Sequence, residues 1–322
     1  MRDRPEIAVI IPAFNAARWI GDALESVLAQ DVGGLELLVV DDGSEDATCA
    51  VVRTNYPTAK VIELDHGGVS RARNVGTAAT QAPFVQYLDA DDLLSPGKLR
   101  RQQQLLEATG DDVAYGGYRR LVQRRDGRFH EDEIVTRALE GPPELALFGN
   151  FWCPPAAYLF RRTIIERTGG WNESLPVIQD ARFALDCALQ GGRFAFTGSV
   201  DASYRVHYDH SLSRRDPRAF LWDLFRNAGQ VAEWWNEHGG LTPERRSALL
   251  AVYENVARGS YERDRPLFAS ARAALEHLEP GFVPRGSRRL ALVARMVGYE
   301  RAEAVAAHYR WLAGKVSPRV TQ

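Results

Sequence analysis

Cysteine is scarce in this 322-residue chain, with only Cys49, Cys153 and Cys187 present. They are odd in number, far apart and without metal-ligand spacing. That argues against a disulfide framework or a thiolate zinc site and fits a reducing compartment. No apolar run approaches membrane-spanning length. The N-terminal residues Met1 to Glu6 lead straight into a strand-like run, without the apolar stretch and small-residue cleavage site of a signal peptide. A cytoplasmic location is therefore expected. An excess of one charge is missing too: 40 basic and 42 acidic residues leave a net charge of −2. Nothing in that balance attracts nucleic acid or anionic lipid globally, and no nucleic-acid partner is expected. The basic residues are nearly all arginine. Glycine is absent where a dinucleotide oxidoreductase needs it, since the first strand does not end in Gly-x-Gly-x-x-Gly. There is no internal repeat and no low-complexity segment.

What is present is an alternation of strands and helices. With 45% apolar residues the chain can bury a sizeable core, and 25% charged residues is ordinary for a globular protein. Ile7 to Ile11 is a continuous apolar run, as a buried parallel strand reads. Helical spacing of Trp19, Ile20, Ala23, Leu24, Val27 and Leu28 predicts a helix within 15–30. Leu35 to Val40, Val61 to Leu64, Phe84 to Leu88 and Val113 to Tyr115 read as further strands. Between them, Ser70 is expected to cap a helix reaching Thr80, and Ser95-Pro96 to open one that Gly110 ends. The fold class expected is α/β: a Rossmann-like, mostly parallel sheet flanked by helices. From about Phe220 the pattern becomes helical, a C-terminal extension. The boundary is placed so that 1–215 form one domain and 216–322 the other.

In such sheets ligands sit beyond the carboxyl ends of the strands, and three polar clusters fall there. Asp89, Asp91 and Asp92 follow the fourth strand, with oxygens that suit Mg²⁺ or Mn²⁺ bridging phosphates. The same cluster also reads as a solvated acidic turn. Asp41-Asp42-Gly43-Ser44 ends the second strand, where a carboxylate can accept hydrogen bonds from a base or ribose; an ordinary turn reads the same way. Pro12, Ala13, Phe14 and Asn15 end the first strand and either line a nucleotide pocket or form a turn capped by Asn15. Arg71, Arg73 and Asn74 open a helix after a glycine pair. A helix N-terminus with two arginines is a plausible diphosphate site, and arginine is otherwise unfavourable in a first turn.

Taken in order, Ile11-Pro12-Ala13-Phe14-Asn15, Val39-Val40-Asp41-Asp42-Gly43-Ser44, Ser70-Arg71-Ala72-Arg73-Asn74-Val75-Gly76 and Tyr87-Leu88-Asp89-Ala90-Asp91-Asp92 resemble the family 2 glycosyltransferases of the GT-A fold. Phe160-Arg161-Arg162, Gly169 to Leu175, Gln179-Asp180 and Tyr204-Arg205-Val206-His207 resemble that family's second half. The likeness covers roughly residues 6 to 215. It implies inverting transfer of a sugar from a nucleotide donor, a UDP-sugar by default, to a saccharide, lipid-linked or other hydroxyl acceptor in bacterial polysaccharide or glycoconjugate synthesis. It also implies roles: Asp41 at the base, Asp89 and Ala90 near the ribose and metal, and Asp91 as main metal ligand. Arg71 and Arg73 would lie near the diphosphate. His207 and Ser211 match a late motif closing over diphosphate or metal. Asp180 stands where the family has its general base, but Gln179 replaces the usual glutamate before it. A divalent cation, Mn²⁺ or Mg²⁺, is the implied cofactor.

Other readings compete. A phosphatase-like hydrolase would use Asp89 and Asp91, but it wants its acidic pair after the first strand and a placed lysine. A non-catalytic nucleotide-sugar-binding relative is countered by the retention of Asp91 and Asp180. Trp152 and Trp171 read as sugar-stacking or core residues alike. Leu290 to Val297, flanked by Arg288, Arg289 and Arg301, reads either as a packed helix or as a peripheral membrane contact at the inner face of a membrane. The oligomeric state is left open by the sequence.

Overall fold

The computed structural model describes residues 5–207, 216–285 and 288–316. The expectation for Ser211 lies outside the described residues. The chain divides into two compact units, Met1–Arg215 and Asp216–Gln322.

The first unit is built on one nine-stranded sheet with helices packed against it. Strand β1 (Ile7–Ala13) is buried at every position, as its unbroken apolar run requires of a central parallel strand. On one side lie β2 (Leu35–Asp41) and β3 (Lys60–Glu63); on the other lies β4 (Phe84–Tyr87). All four are parallel, joined through α1 (Ile20–Leu28), α2 (Thr48–Asn55) and α3 (Val69–Ala78). The register pairs Ala13 with Asp41 and Asp41 with Glu63. The segments after β1, β2, β3 and β4 therefore leave the same edge of the sheet.

Beyond β4 the sheet becomes mixed. A two-residue strand β5 (Leu93–Leu94) and α4 (Lys98–Thr109) lead to the long β6 (Val113–Gln123), which turns back as β7 (Phe129–Val135). After α5 (Pro143–Gly149), β8 (Tyr158–Arg161) inserts antiparallel between β4 and β6. Then α6 (Arg162–Thr168), α7 (Gln179–Leu189) and β9 (Phe194–Val206) follow. Strand β9 runs parallel to β6, with register shifts near Gly117, and its far end pairs with β5. Its last residues thus arrive beside the turn that follows β4.

Three local expectations are corrected. Helix α3 is not capped by Ser70, which lies buried in its first turn; Gly68, at φ 97°, takes the cap position. The glycine loop is held instead by Asp42, whose carboxylate accepts from the N–H groups of Gly67 (2.9 Å) and Gly68 (2.8 Å). Helix α4 starts at Lys98 with Gly97 as cap, because Ser95 donates its N–H to the Asp201 carbonyl and the turn closes through Lys98 N–H on Ser95. Strand β6 is far longer than Val113 to Tyr115 and carries an unforeseen ribbon partner in β7.

A buried polar layer lies between α4 and the sheet. Asp201, fully buried, accepts from Arg101 (2.7 Å), Gln102 (2.9 Å) and Thr197 (2.7 Å). A Cβ at position 116 would stand 2.2 Å from its Oδ2, so only glycine fits there. Lys98 is also fully buried, donating to Gln86 and to the Tyr158 carbonyl, and burial pushes its ammonium down to about 7. The folded chain therefore sheds a proton that the unfolded chain keeps until pH passes the free lysine value, and stability must climb as pH rises through that window. Lys98→Met is expected to flatten the climb by about 2 kcal/mol between pH 7.5 and 9. Urea midpoints of both proteins at the two values check it; parallel slopes would refute it.

The second unit is helical: α8 (Pro217–Glu237), α9 (Pro243–Ser260), α10 (Arg265–Leu278), α11 (Arg288–Val297) and α12 (Tyr299–Val316). The first three share a capping device legible in sequence. Asp216, Thr242 and Asp264 accept backbone N–H groups of the first turn, and a proline follows within two residues. Trp235, in α8, is fully buried.

Candidate active site

The acidic turn after β4 is the centre, and its three aspartates have different partners. Asp92 is buried; one oxygen accepts the Arg205 N–H at 2.8 Å and the other finds no hydrogen-bond partner among the described residues. Burial, followed by the charges of Asp91 and Asp89, raises its pKa well above the usual carboxylate range. It ties the turn to β9 and is badly placed to serve as an open ligand. Asp89 pairs with the buried guanidinium of Arg73. Asp91 lies 2.8 Å from His207 Nε2 at the end of β9. His207 is held against Trp19 and Phe129, with ring centroids 4.8 and 5.3 Å away. Ala90 is buried between these acids.

The two arginines of α3 do not act together. Two residues apart on a helix they point to opposite sides. Arg73 turns inward, stacking 4.1 Å over Trp171 and pairing with Asp89, with Nε and Nη1 lacking partners among the described residues. Arg71 crosses over Gly67 to the Asp65 carbonyl at 2.7 Å; a Cβ at Gly67 would lie 2.5 Å from its Nη1. Asn74 bonds to the backbone of Trp171 (2.7 and 3.0 Å) and to Glu173 (2.8 Å), clasping the loop before α7. Trp171 itself is core, stacked on Phe183 at 4.1 Å.

At the ends of β1 and β2, Pro12 and Ala13 pair with Val40 and Asp41. Asn15 is the one non-glycine residue with positive φ (49°) among the described residues. Its side chain accepts from Glu45 N–H (2.9 Å) and Asp46 N–H (3.3 Å), and its own N–H donates to Ser44. Asn15 therefore braces the turn after β2 rather than capping α1, which starts at Ile20. Asp41 is buried, accepts from Ser44 N–H at 2.9 Å and keeps Oδ1 without a partner among the described residues. Asp42 holds the glycine loop and lies 2.9 Å from His66 Nδ1. The His66 ring stacks on the exposed Phe14 at 4.4 Å, which sets an aromatic pair beside the loop that Asp42 holds.

Asp180, in the first turn of α7, is half-buried. Oδ1 accepts the Ala181 N–H (2.8 Å) and Oδ2 the indole N–H of Trp152 (2.8 Å). Burial raises its pKa above that of an ordinary aspartate; the two hydrogen bonds and Arg73 oppose that rise. Trp152 is fixed edge-to-face by Tyr118 and Tyr204. The Tyr204 phenol is pushed upward by burial and then by the charges of Asp92, Asp180, Asp89 and Asp91. It stands within electrostatic reach of both the acidic turn and Asp180. Neither Trp152 as a carboxylate partner nor Tyr204 as the ring packed on it is legible in sequence, since both contacts join distant segments.

Among the described residues no three His, Cys, Asp or Glu side chains gather closely enough to ligate a cation unaided. The reason is visible above: Asp89 faces Arg73, Asp92 is buried, and Asp91 with His207 remains. One carboxylate and one imidazole suit a divalent ion completed by substrate phosphates and water.

The family model for glycosyl transferase family 2 matches residues 8–169. The chain belongs to glycosyltransferase family 2. Within that family it is similar to the succinoglycan biosynthesis protein ExoO of Rhizobium meliloti (strain 1021), 38% identical over 222 residues, 65% of this chain and 63% of that protein. The chain spans roughly half to two thirds of the length of the first curated relatives it matches. Among solved structures it resembles S. aureus TarS 1-349 in complex with UDP-GlcNAc (TM-score 0.67, 18% identity, 94% of this chain and 92% of that one). It also resembles the mannosyltransferase PcManGT from Pyrobaculum calidifontis in complex with GDP-Man and Mn²⁺ (TM-score 0.53, 20% identity, 96% and 88%). At such identities the likeness establishes the fold, which is of the GT-A type. No helix among the described residues is long and apolar enough to cross a membrane.

Proposed function

We propose that this family 2 member is an inverting glycosyltransferase that moves a sugar from a nucleoside-diphosphate sugar, a UDP-sugar by default, to a hydroxyl acceptor. One observation carries the reading: Asp180 stands on a different element from the acidic turn, and Trp152, which donates to it, packs on Tyr204 next to the Arg205 N–H that holds Asp92. Inversion needs in-line attack, with a proton acceptor on one side of the anomeric carbon and the departing diphosphate on the other.

In this reading residues 1–215 bind donor and carry the chemistry, and 216–322 form an accessory helical region. Asp41, whose Oδ1 is left without a partner among the described residues, meets the base, with Pro12, Ala13 and Asn15 shaping the backbone beneath it. The first turn of α3, which no side chain caps, faces the diphosphate with Arg71. Arg73 orients Asp89 toward the ribose. Asp91 and His207 would hold Mn²⁺ or Mg²⁺, with Asp89 of the same turn kept nearby on Arg73, and the cation would neutralise charge on the leaving diphosphate. Asp42 and Asn74 act by holding the loops that place these groups. Asp180 takes the proton from the acceptor hydroxyl while Trp152 and Ala181 N–H groups keep its carboxylate aimed. The acceptor is a saccharide or lipid-linked hydroxyl, and the work site is the cytoplasm at the inner face of the membrane.

A thermal-shift series with nucleoside diphosphates and nucleotide sugars, with and without Mn²⁺, tests the donor class. A base-selective, cation-dependent rise is expected; no rise with any nucleotide would end the proposal. A finer test uses Trp152→Phe. Losing the indole donor lets the Asp180 pKa climb further, so the acid limb of the rate profile should move to higher pH with donor affinity unchanged. An unmoved limb would remove Trp152 from the mechanism.

A further inference from the structure

Single exposed apolar residues are normal on any protein, but clusters are not. Among the described residues the exposed large hydrophobics are Phe14, Leu28, Ile134, Leu292, Met296, Val297 and Val305. Four of these seven fall in the adjoining helices α11 and α12. Leu292 is 62% exposed and Met296 76%, the two highest values of the set. They share one face of α11 with Arg289, since 289, 292 and 296 follow helical spacing, and Arg295 borders it. The opposite face carries the buried Ala294. Arg289, Arg295 and Arg301 are exposed, and α11 contains no acidic residue. The next two acids along the chain are engaged elsewhere: Glu300 lies 3.6 Å from Arg272, and Glu303 is fully buried. The sequence leaves open whether this helix packs inward or faces outward. Leu292 and Met296 point out.

We infer that the α11 face docks on an anionic phospholipid surface, with Leu292 and Met296 entering the headgroup boundary and Arg289 and Arg295 meeting lipid phosphates. Charge decides the occupant. A second copy of the chain would bring arginine against arginine, whereas an anionic bilayer satisfies both the apolar pair and its basic border. The inference stands on the helix alone and holds whatever the chemistry at Asp180.

The test is vesicle flotation of the full chain without nucleotide, using phosphatidylcholine alone and phosphatidylcholine with phosphatidylglycerol. Binding is expected only with the anionic lipid, weakening as salt rises. Arg289→Gln with Arg295→Gln should lower partitioning about 30-fold, and Leu292→Ser with Met296→Ser should lower it at least as far. All four residues are exposed, so an unchanged thermal midpoint certifies folding. Equal binding to both vesicle types, or variants that partition like the parent, would overturn the inference. So would a dimer that Leu292→Ser with Met296→Ser dissolves in the absence of any vesicle binding.

Discussion

Asp180→Asn is expected to cut turnover by about 10³-fold while leaving donor affinity within about twofold, the range that a positioned general base contributes. The amide keeps the shape of the carboxylate and still accepts from Trp152 or Ala181, so folding and donor contacts persist. What is lost is the ability to take a proton. Titration calorimetry of the donor beside single-turnover transfer separates binding from chemistry. Near-normal turnover in the variant would move the base elsewhere. Donor binding lost along with turnover would mean that Asp180 holds the fold of the site rather than its reaction.

Asp91→Ala is expected to act on the other side of the sugar. The substitution leaves His207 without its 2.8 Å partner and removes the one carboxylate of the turn that is neither paired with arginine nor buried. The cation-dependent part of nucleotide stabilisation should vanish, and transfer should fall by at least about 10²-fold, since neutralising a leaving group is among the larger catalytic effects. Asp92→Asn provides the contrast. That group is buried and bonded to Arg205 N–H, so its loss should be read in the thermal midpoint first. If Asp91→Ala kept a full Mn²⁺-dependent shift with its nucleotide, the ligand assignment would fail.

The legible parts of this molecule share a physical cause. Strands β1, β2 and β4 are central and mostly buried, so each is written as a largely apolar run, unbroken in β1 and interrupted by Glu36 in β2 and Gln86 in β4. The polar residues at their ends, Asp41, Asp89 and Asp91, stand out for the same reason, whereas Asp180 begins a helix and stands out only through the family resemblance. What was missed has an opposite cause. The ribbon of β6 and β7 is largely exposed, and Arg119, Arg120, Glu131 and Asp132 pair across it, so its pattern reads as charge rather than as strand. Arg71 and Arg73 look alike in a motif, yet helix geometry sends one to a carbonyl at the surface and the other under a tryptophan. Trp152 meets Asp180 across 28 positions, while the meeting of His207 with Asp91 across 116 is expected only through the family resemblance. No local periodicity encodes either meeting.

That last span has a consequence during synthesis. Leu93 and Leu94 are bridged to Ser203 and Ala202, Asp92 to Arg205 and Asp91 to His207. A nascent chain that has emerged only as far as α7 already possesses all four parallel strands and Asp180, yet its acidic turn lacks every one of these far-side supports. Such an intermediate leaves Asp92 and its neighbours to repel one another. The supports of the centre therefore all belong to the segment at the end of β9, and a chain without that strand lacks them.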